Sequence, residues 1–356
     1  MSKLNIATPD IRIVTSAGLD DQAAWDEYVD AHQDGSFCHL FGWRKAIEQA
    51  LGLTPHYLKI TDSSLNIVGI LPLFEVKSWL FGHTLVSTPF CMYGGALADD
   101  PSAHQALIEE AKALAHRLQV DYLELRYQQA QPQLESQAFM LKSVHSYFVS
   151  PIADSDDEIL LAIKKKQRAV VRHSLKNNLQ SRVDQDIDTL YHIYSTSVRN
   201  LGTPVFSKKL FKALLREFPE HSDILTIEHD GQAISSVMSF YYKDMVMPYY
   251  GGGLASARQL KANDHMYYQL MRHARQKMCK YFDFGRSKND SGAYKYKASW
   301  GIEAKALFHY YHLVNASELP DLSPNNPKFQ RKIALWQKLP LRVSQCLGPF
   351  VSKYLG

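Results

Sequence analysis

One pattern occurs twice along this chain, and that repeat limits the fold more than any other feature. In the first half, Pro89…Tyr93-Gly94-Gly95-Ala96-Leu97-Ala98 leads through an apolar-faced helix into Tyr122-Leu-Glu-Leu-Arg126. In the second half, Pro248…Tyr250-Gly251-Gly252-Gly253-Leu254-Ala255 leads through another helix into Tyr281-Phe-Asp-Phe-Gly-Arg286. One short match can arise by chance, but two in the same order indicate a duplicated unit. Each glycine block follows a β run, and the proline inside it removes a ladder donor. The strand is therefore expected to leave its neighbour there. With 356 residues, 46% of them hydrophobic, the chain is long and apolar enough for two such units.

The remaining pattern fits alternating strands and helices. An apolar run, Ile11 to Val14, precedes a helix from about Asp20, and a second helix is expected over Phe41 to Ala50. Strands follow at His56 to Ile60 and Ile67 to Val76. Asp100 and Pro101 announce the helix of the first unit, as cap and first helical residue. The second unit opens with strand Ile224 to Glu228, a turn at Asp230-Gly231, and strands Ala233 to Tyr242 and Met245 to Tyr250. Its helix is expected over Asn263 to Lys280, and a further strand over Leu307 to Val314. Divided on this basis, residues 1–153 form the first unit, 154–220 a helical connector and 221–320 the core of the second unit. Residues 321–356 form a basic, proline-punctuated tail.

Composition excludes several classes. A formal charge of +4 is too small to require a nucleic-acid partner. No apolar run reaches membrane-spanning length, and the first residues lack a signal-peptide core, so a cytoplasmic protein is expected. Cys38, Cys91, Cys279 and Cys346 are scattered and read as reduced thiols. The histidines have no metal-ligand spacing: His309 and His312 fall on opposite faces of their strand, and no metal is expected. Nucleophile-elbow, zinc-protease, P-loop and dinucleotide motifs are all missing.

The block from Tyr281 to Gly301 is the richest in chemistry. Asp283 ends a strand, Gly285 allows a tight turn, and Arg286, Lys288, Lys295 and Lys297 follow, interleaved with Tyr294, Tyr296 and Trp300. Strand ends in α/β sheets converge on an open crevice, and a cationic cluster there suits phosphate or carboxylate. The plainer reading is a solvated basic loop held by an Asp283–Arg286 pair. In the glycine block of the second half, a strand that splays apart frees backbone N–H groups near Gly251 to hold an acyl carbonyl. For the first block a bulge and turn suffice. Arg258, Lys261 and Asn263 stand where a helix begins, a natural anion site.

The order strand, splay, loop, helix, strand is similar to the core of GNAT acyltransferases, which hold coenzyme A pyrophosphate at the loop. There the usual pattern is Arg or Gln, two residues, Gly, one residue, then Gly or Ala. Here Arg258-Gln-Leu-Lys261-Ala-Asn263 puts Lys and Asn where small residues are needed. More closely, the chain resembles the FemAB family, in its branch beside exosortase/PEP-CTERM exopolysaccharide systems. The resemblance rests on Phe41-Gly-Trp43, Gly69-Ile-Leu-Pro72, Ser87…Pro89-Phe…Tyr93-Gly94-Gly95 and Pro248-Tyr-Tyr-Gly-Gly. It continues through Ala262-Asn263-Asp264, Asp283-Phe-Gly-Arg-Ser-Lys288, Tyr294…Lys297…Trp300-Gly301 and Trp336-Gln-Lys-Leu-Pro340.

The resemblance implies an α/β (α+β) fold of two GNAT-like domains in tandem, each a mixed sheet flanked by helices. It further implies transfer of an acyl or aminoacyl group to an amine of an anionic cell-envelope or exopolysaccharide precursor. Asp283 and Tyr249 are the catalytic candidates. Arg286, Lys288, Tyr294, Lys297, Trp300, Tyr250 and Gly251 are candidates to hold the acceptor and the carbonyl, and Arg258, Lys261 and Asn263 the donor's anion. No tightly bound cofactor is expected, and the donor is left open between aminoacyl-tRNA and acyl-CoA. The cations from Lys164 to Lys176 could meet tRNA phosphates or simply be solvated. The tail could rest on an anionic membrane or dock on its own domain. Two other readings remain: an acetyl-CoA-dependent N-acetyltransferase, and a non-catalytic module binding a glycan precursor or RNA.

Overall fold

The computed structural model describes residues 14–79, 81–319 and 327–355. The expected start of the first strand, Ile11 to Ile13, and the beginning of the tail lie outside the described residues. A 14-stranded sheet runs through the molecule. From one edge come Val14–Ser16, Thr54–Thr61, Ile67–Ser78, Gly82–Ser87 and Tyr122–Tyr127. From the other come Leu179–Asp184, Ser222–His229, Gln232–Tyr242, Met245–Gly253 and Tyr281–Asp283. Within each set the first four strands pair antiparallel and the last joins parallel. A parallel join needs a crossover, supplied by helix Pro101–Arg117 in one half and Ala262–Gln276 in the other. The duplication read from the glycine blocks is thus a duplication of topology, and each half is the expected mixed sheet flanked by helices.

The halves are joined by exchange. Met140–Pro151, the last strand of the first unit, pairs with Tyr281–Asp283 of the second. Ala304–Leu313, the last strand of the second unit, pairs with Tyr122–Tyr127 of the first. These two long strands also pair with each other at the centre of the sheet. The stretch expected to be a helical connector contains helices Asp156–Ala162, Lys165–Ser174, Ile187–Leu201 and Lys208–Glu217. It also holds the edge strand Leu179–Asp184, which gives the second half its counterpart of Val14–Ser16.

Local signals explain the element starts. Asp100 accepts the Ala103 N–H at 2.9 Å and Pro101 follows, so the crossover helix begins where its cap stands. Helix Lys208–Glu217 is capped by Ser207 and buries Leu210, Phe211, Leu214 and Leu215 on one side. That face meets helix Gly42–Leu51 of the first half, and a single apolar core spans both halves. Phe37 lies at its centre, with ring centroids 4.5 Å from Phe240 and 4.6 Å from Phe218. Phe37→Ala is expected to cost about 3–5 kcal/mol in urea unfolding, by lost burial and a cavity that neither half can fill. A loss below about 1 kcal/mol would mean that the shared core is not what holds the halves together.

Candidate active site

The parallel strands of the second half pair only at Met245–Tyr281 and Val246–Phe282. Past that point they separate, for reasons visible in each strand. Pro248 has no N–H to give. A bulge places Tyr249 out of register, since Ser239 faces Pro248 while Met238 faces Tyr250. Across the gap Gly285, at φ +75°, turns the chain away from its strand, a conformation that costs glycine nothing. The result is a cleft of about 220 Å³ lined by Tyr249, Gly251, Gly285, Arg286 and Lys297, and closed on the other side by Phe90, Cys91 and Met92 of the first half.

Asp283 lies beneath this cleft and is fully buried. Its Oδ1 accepts the Gly285 N–H at 2.7 Å. Its Oδ2 has no hydrogen-bond partner of normal geometry among the described residues. Burial pushes its carboxyl up to about 6, against the Gly285 N–H, the Lys297 charge and the nearby Tyr93 hydroxyl, which pull it down. Lys297 donates to the carbonyls of Gly285 and Arg286 at 3.0 and 2.9 Å. Burial brings its ammonium down to about 8, with Asp283 raising it and Arg286 lowering it further. The Arg286 backbone N–H meets the Met92 sulfur at 3.0 Å. Its guanidinium has no hydrogen bond or ion pair among the described residues, and burial followed by the Arg126 charge lowers its affinity for its proton. The cleft is therefore lined by two cations with donors to spare, next to a buried carboxyl outside the lining that can take a proton near neutrality.

The remaining sequence candidates are distributed differently. Tyr249 lines the cleft, but its hydroxyl hydrogen goes to the Phe90 carbonyl at 2.9 Å. Tyr250 turns into the shared core against Tyr194, Phe206 and Phe211. Lys288 sits in the short strand Ser287–Lys288 paired to His145, and Tyr294 packs on Phe148, with neither in the cleft lining. Trp300 is buried behind Phe284, with centroids 5.3 Å apart, and backs the cleft wall without reaching the opening. Sequence reasoning missed Phe90, Cys91, Met92 and Tyr93, because they come from the other half.

The sequence candidates for a donor's anion lie at the helix start at Lys261. Arg258 is exposed, and Lys261 adopts φ +57° as the residue before the helix. Asn263 accepts from the Ser235 hydroxyl at 2.7 Å, and Gly253 packs so closely on it that a Cβ there would lie 2.4 Å from its oxygen. The first turn already holds a carboxylate: Asp264 is buried and accepts from Gln167 at 2.5 Å and Tyr296 at 3.0 Å. An acid in the first turn suits the helix dipole, while no side chain among the described residues caps the first N–H groups. Lys261 and Asn263 thus stand where the usual coenzyme A loop has small residues.

The twin position in the first half is built differently. Strands Gly82–Ser87 and Tyr122–Tyr127 pair through Val86–Glu124 and then part, opening a cleft of about 160 Å³ beside Gly95 and Arg126. Here the carboxylate is neutralised: Glu124 accepts from Arg126 at 2.8 Å and lies 3.0 Å from His309. Gly95 packs against the Tyr127 ring, whose hydroxyl accepts the Ala96 N–H at 3.1 Å. Among the described residues no cluster of three or more His, Cys, Asp or Glu side chains could hold a metal ion.

The fold and this opening define a tandem GNAT-like architecture, and comparisons with known structures agree. Residues 163–298 match the family model described as an acetyltransferase (GNAT) domain. FemX is similar in structure, with a TM-score of 0.68 at 15% identity, covering 90% of this chain and 99% of FemX. So is the C-terminal domain of a putative lysylphosphatidylglycerol synthetase from Agrobacterium fabrum, with a TM-score of 0.55 at 12% identity, covering 82% of this chain and 92% of that one. A tandem GNAT protein from the clavulanic acid biosynthesis pathway gives a TM-score of 0.53 at 11% identity, covering 86% and 99%. No curated protein matches the sequence.

Proposed function

We propose that this chain is an acyltransferase joining an aminoacyl group to an amine on an anionic cell-envelope or exopolysaccharide precursor. The observation that carries the reading is the cleft where the strands part, which presents Arg286 and Lys297 over the buried Asp283, whose carboxyl is raised to about 6. In this reading the acceptor's phosphate or carboxylate sits on Arg286 and Lys297. Its amine attacks the acyl carbonyl, which backbone groups near Gly251 orient; the C–N bond forms as the ester C–O bond breaks. Asp283 takes the proton from the amine, and positioning supplies much of the remaining rate. With its hydrogen committed to Phe90, Tyr249 shapes the cleft wall and does not donate to the carbonyl.

Lys261 and Asn263, in place of small residues at the helix start, support a donor other than acyl-CoA. Helix Lys165–Ser174 supports a polyanionic one. Lys165, Arg168, Arg172, His173 and Lys176 line a groove along it, and Gln167 on the same helix ties it to the Asp264 turn. The similarity to a domain of a putative lysylphosphatidylglycerol synthetase, whose name describes a lysyl group joined to an anionic lipid, supports aminoacyl transfer to an anionic acceptor. The test is to incubate the protein with charged tRNA and amine-bearing precursors, nucleotide-linked or lipid-linked, and follow the acceptor mass. An aminoacyl increment is expected; transfer from acetyl-CoA alone would overturn the donor assignment. No product with any charged tRNA, but tight precursor binding, would favour the non-catalytic module.

A further inference from the structure

Helix Leu341–Ser352 packs with its polar side inward. Its buried residues are Ser344, Gly348 and Ser352, one small residue per turn. Ser352 donates to the Val205 carbonyl at 3.0 Å, and a Cβ at Gly348 would lie 2.7 Å from that oxygen. Gln345 bonds Ser195 at 2.8 Å. The opposite face carries Val343, Leu347 and Phe350, exposed by 40%, 45% and 69% and spaced as one stripe. The preceding helix, Pro327–Gln337, adds Leu335, exposed by 67%. A helix on a water-facing surface normally shows the reverse arrangement.

Charge identifies what covers this face. Arg331, Lys332, Lys338 and Arg342 are exposed around it and Lys353 is half-exposed, while residues 330–355 contain no Asp or Glu. A second copy docked through the same face would set cation against cation with no acid between. An apolar stripe ringed by Lys and Arg is the surface of a helix lying in a lipid interface. We propose that this face seats on an anionic bilayer. The placement also connects it to the cleft. The helix rests on Val205, and the ring of the next residue, Phe206, stacks edge-on with its centroid 5.3 Å from that of Phe90 in the cleft lining and 5.9 Å from that of Tyr250. A bilayer here would lie close to the cleft wall, within reach of an acceptor held at the membrane surface.

Vesicle flotation tests the proposal without reference to activity. The full chain is expected to float with phosphatidylcholine vesicles holding about one third phosphatidylglycerol, at ~0.1 M salt, and about tenfold less with phosphatidylcholine alone or at ~1 M salt. The Leu347→Glu/Phe350→Glu double variant, with its fold checked by circular dichroism, is expected to lose about tenfold of the bound fraction. Equal flotation with both lipids, or a folded double variant that floats like wild type, overturns the proposal. So does a wild type that ignores vesicles but sediments as a dimer which the double variant dissociates. If the double variant does not fold, the lipid and salt comparisons on wild type decide alone, and no flotation overturns it.

Discussion

Asp283→Asn is expected to lower kcat by about 10²–10⁴-fold while KM changes little, because an amide keeps the shape but cannot take the amine proton. The pH profile separates this from a structural role. With Asp283 at about 6 and Lys297 at about 8, kcat/KM should rise through the first value as the carboxyl ionises. It should fall above the second as the ammonium that holds the acceptor loses its charge. The variant should lose the acid limb and keep the alkaline one. Stability moves the other way. A carboxyl that is harder to ionise when folded binds its proton more tightly in the folded state. Ionised Asp283 therefore weighs against folding above about pH 6, and that cost is absent below the ordinary carboxylate range. The amide removes the cost but leaves Lys297 without a counter-charge, so a gain of about 1–2 kcal/mol at pH 8 and almost none at pH 4 is expected in urea unfolding. Full turnover in the variant, or an acid limb that survives, would remove Asp283 from the chemistry.

The features readable from sequence were those imposed by the backbone. Pro248 and the glycines after it mark where a strand must leave its neighbour, and Gly285 marks the turn that carries Arg286 to the opening; both act through covalent geometry and leave a trace in residue type. The partner of a strand leaves no such trace. Nothing in Met140–Pro151 says that it pairs with Tyr281–Asp283, and its burial, exposed at the start, buried only at Ser146 to Phe148 and exposed again at Pro151, carries no clean alternation. The same limit hid Phe90, Cys91 and Met92, which face Arg286 only because the halves pack together. Direction was the other loss. Tyr249 and Tyr250 are adjacent, yet one lines the cleft and the other turns into the core, as neighbours on a strand do. In helix Gly292–Ser299, Lys297 reaches the cleft while Lys295 is exposed. A cluster of cations in sequence was therefore resolved by the structure into two that face the opening and others that do not.

The repeat places Glu124 where the second half has Asp283, and the two halves treat that carboxylate in opposite ways. Burial alone would raise the Glu124 carboxyl, but the Arg126 charge and the hydrogen bonds from His309 and Arg126 outweigh it and hold it well below the usual range. A group with a lowered folded-state value contributes stability above its unfolded value near 4.5, and that contribution is lost as pH falls through the folded one. Glu124→Ala is expected to cost about 3–5 kcal/mol in urea unfolding at pH 7, since it leaves the Arg126 guanidinium buried beside His309 without its counter-charge. Glu124→Leu combined with Arg126→Met should recover most of that loss, because the desolvation cost of both ions disappears together. Arg126 also donates to the Cys91 carbonyl at 3.1 Å, and its own carbonyl accepts the Gly94 N–H at 3.1 Å, so it ties down the loop that closes the cleft. The double variant should therefore fold well yet bind an anionic acceptor more weakly through a loosened Cys91–Met92 wall. A Glu124→Ala protein within about 1 kcal/mol of wild type would mean that the ion pair does not hold the first half's strand end. The contrast between a neutralised carboxylate in one half and an open one in the other would then not be what sets the two clefts apart.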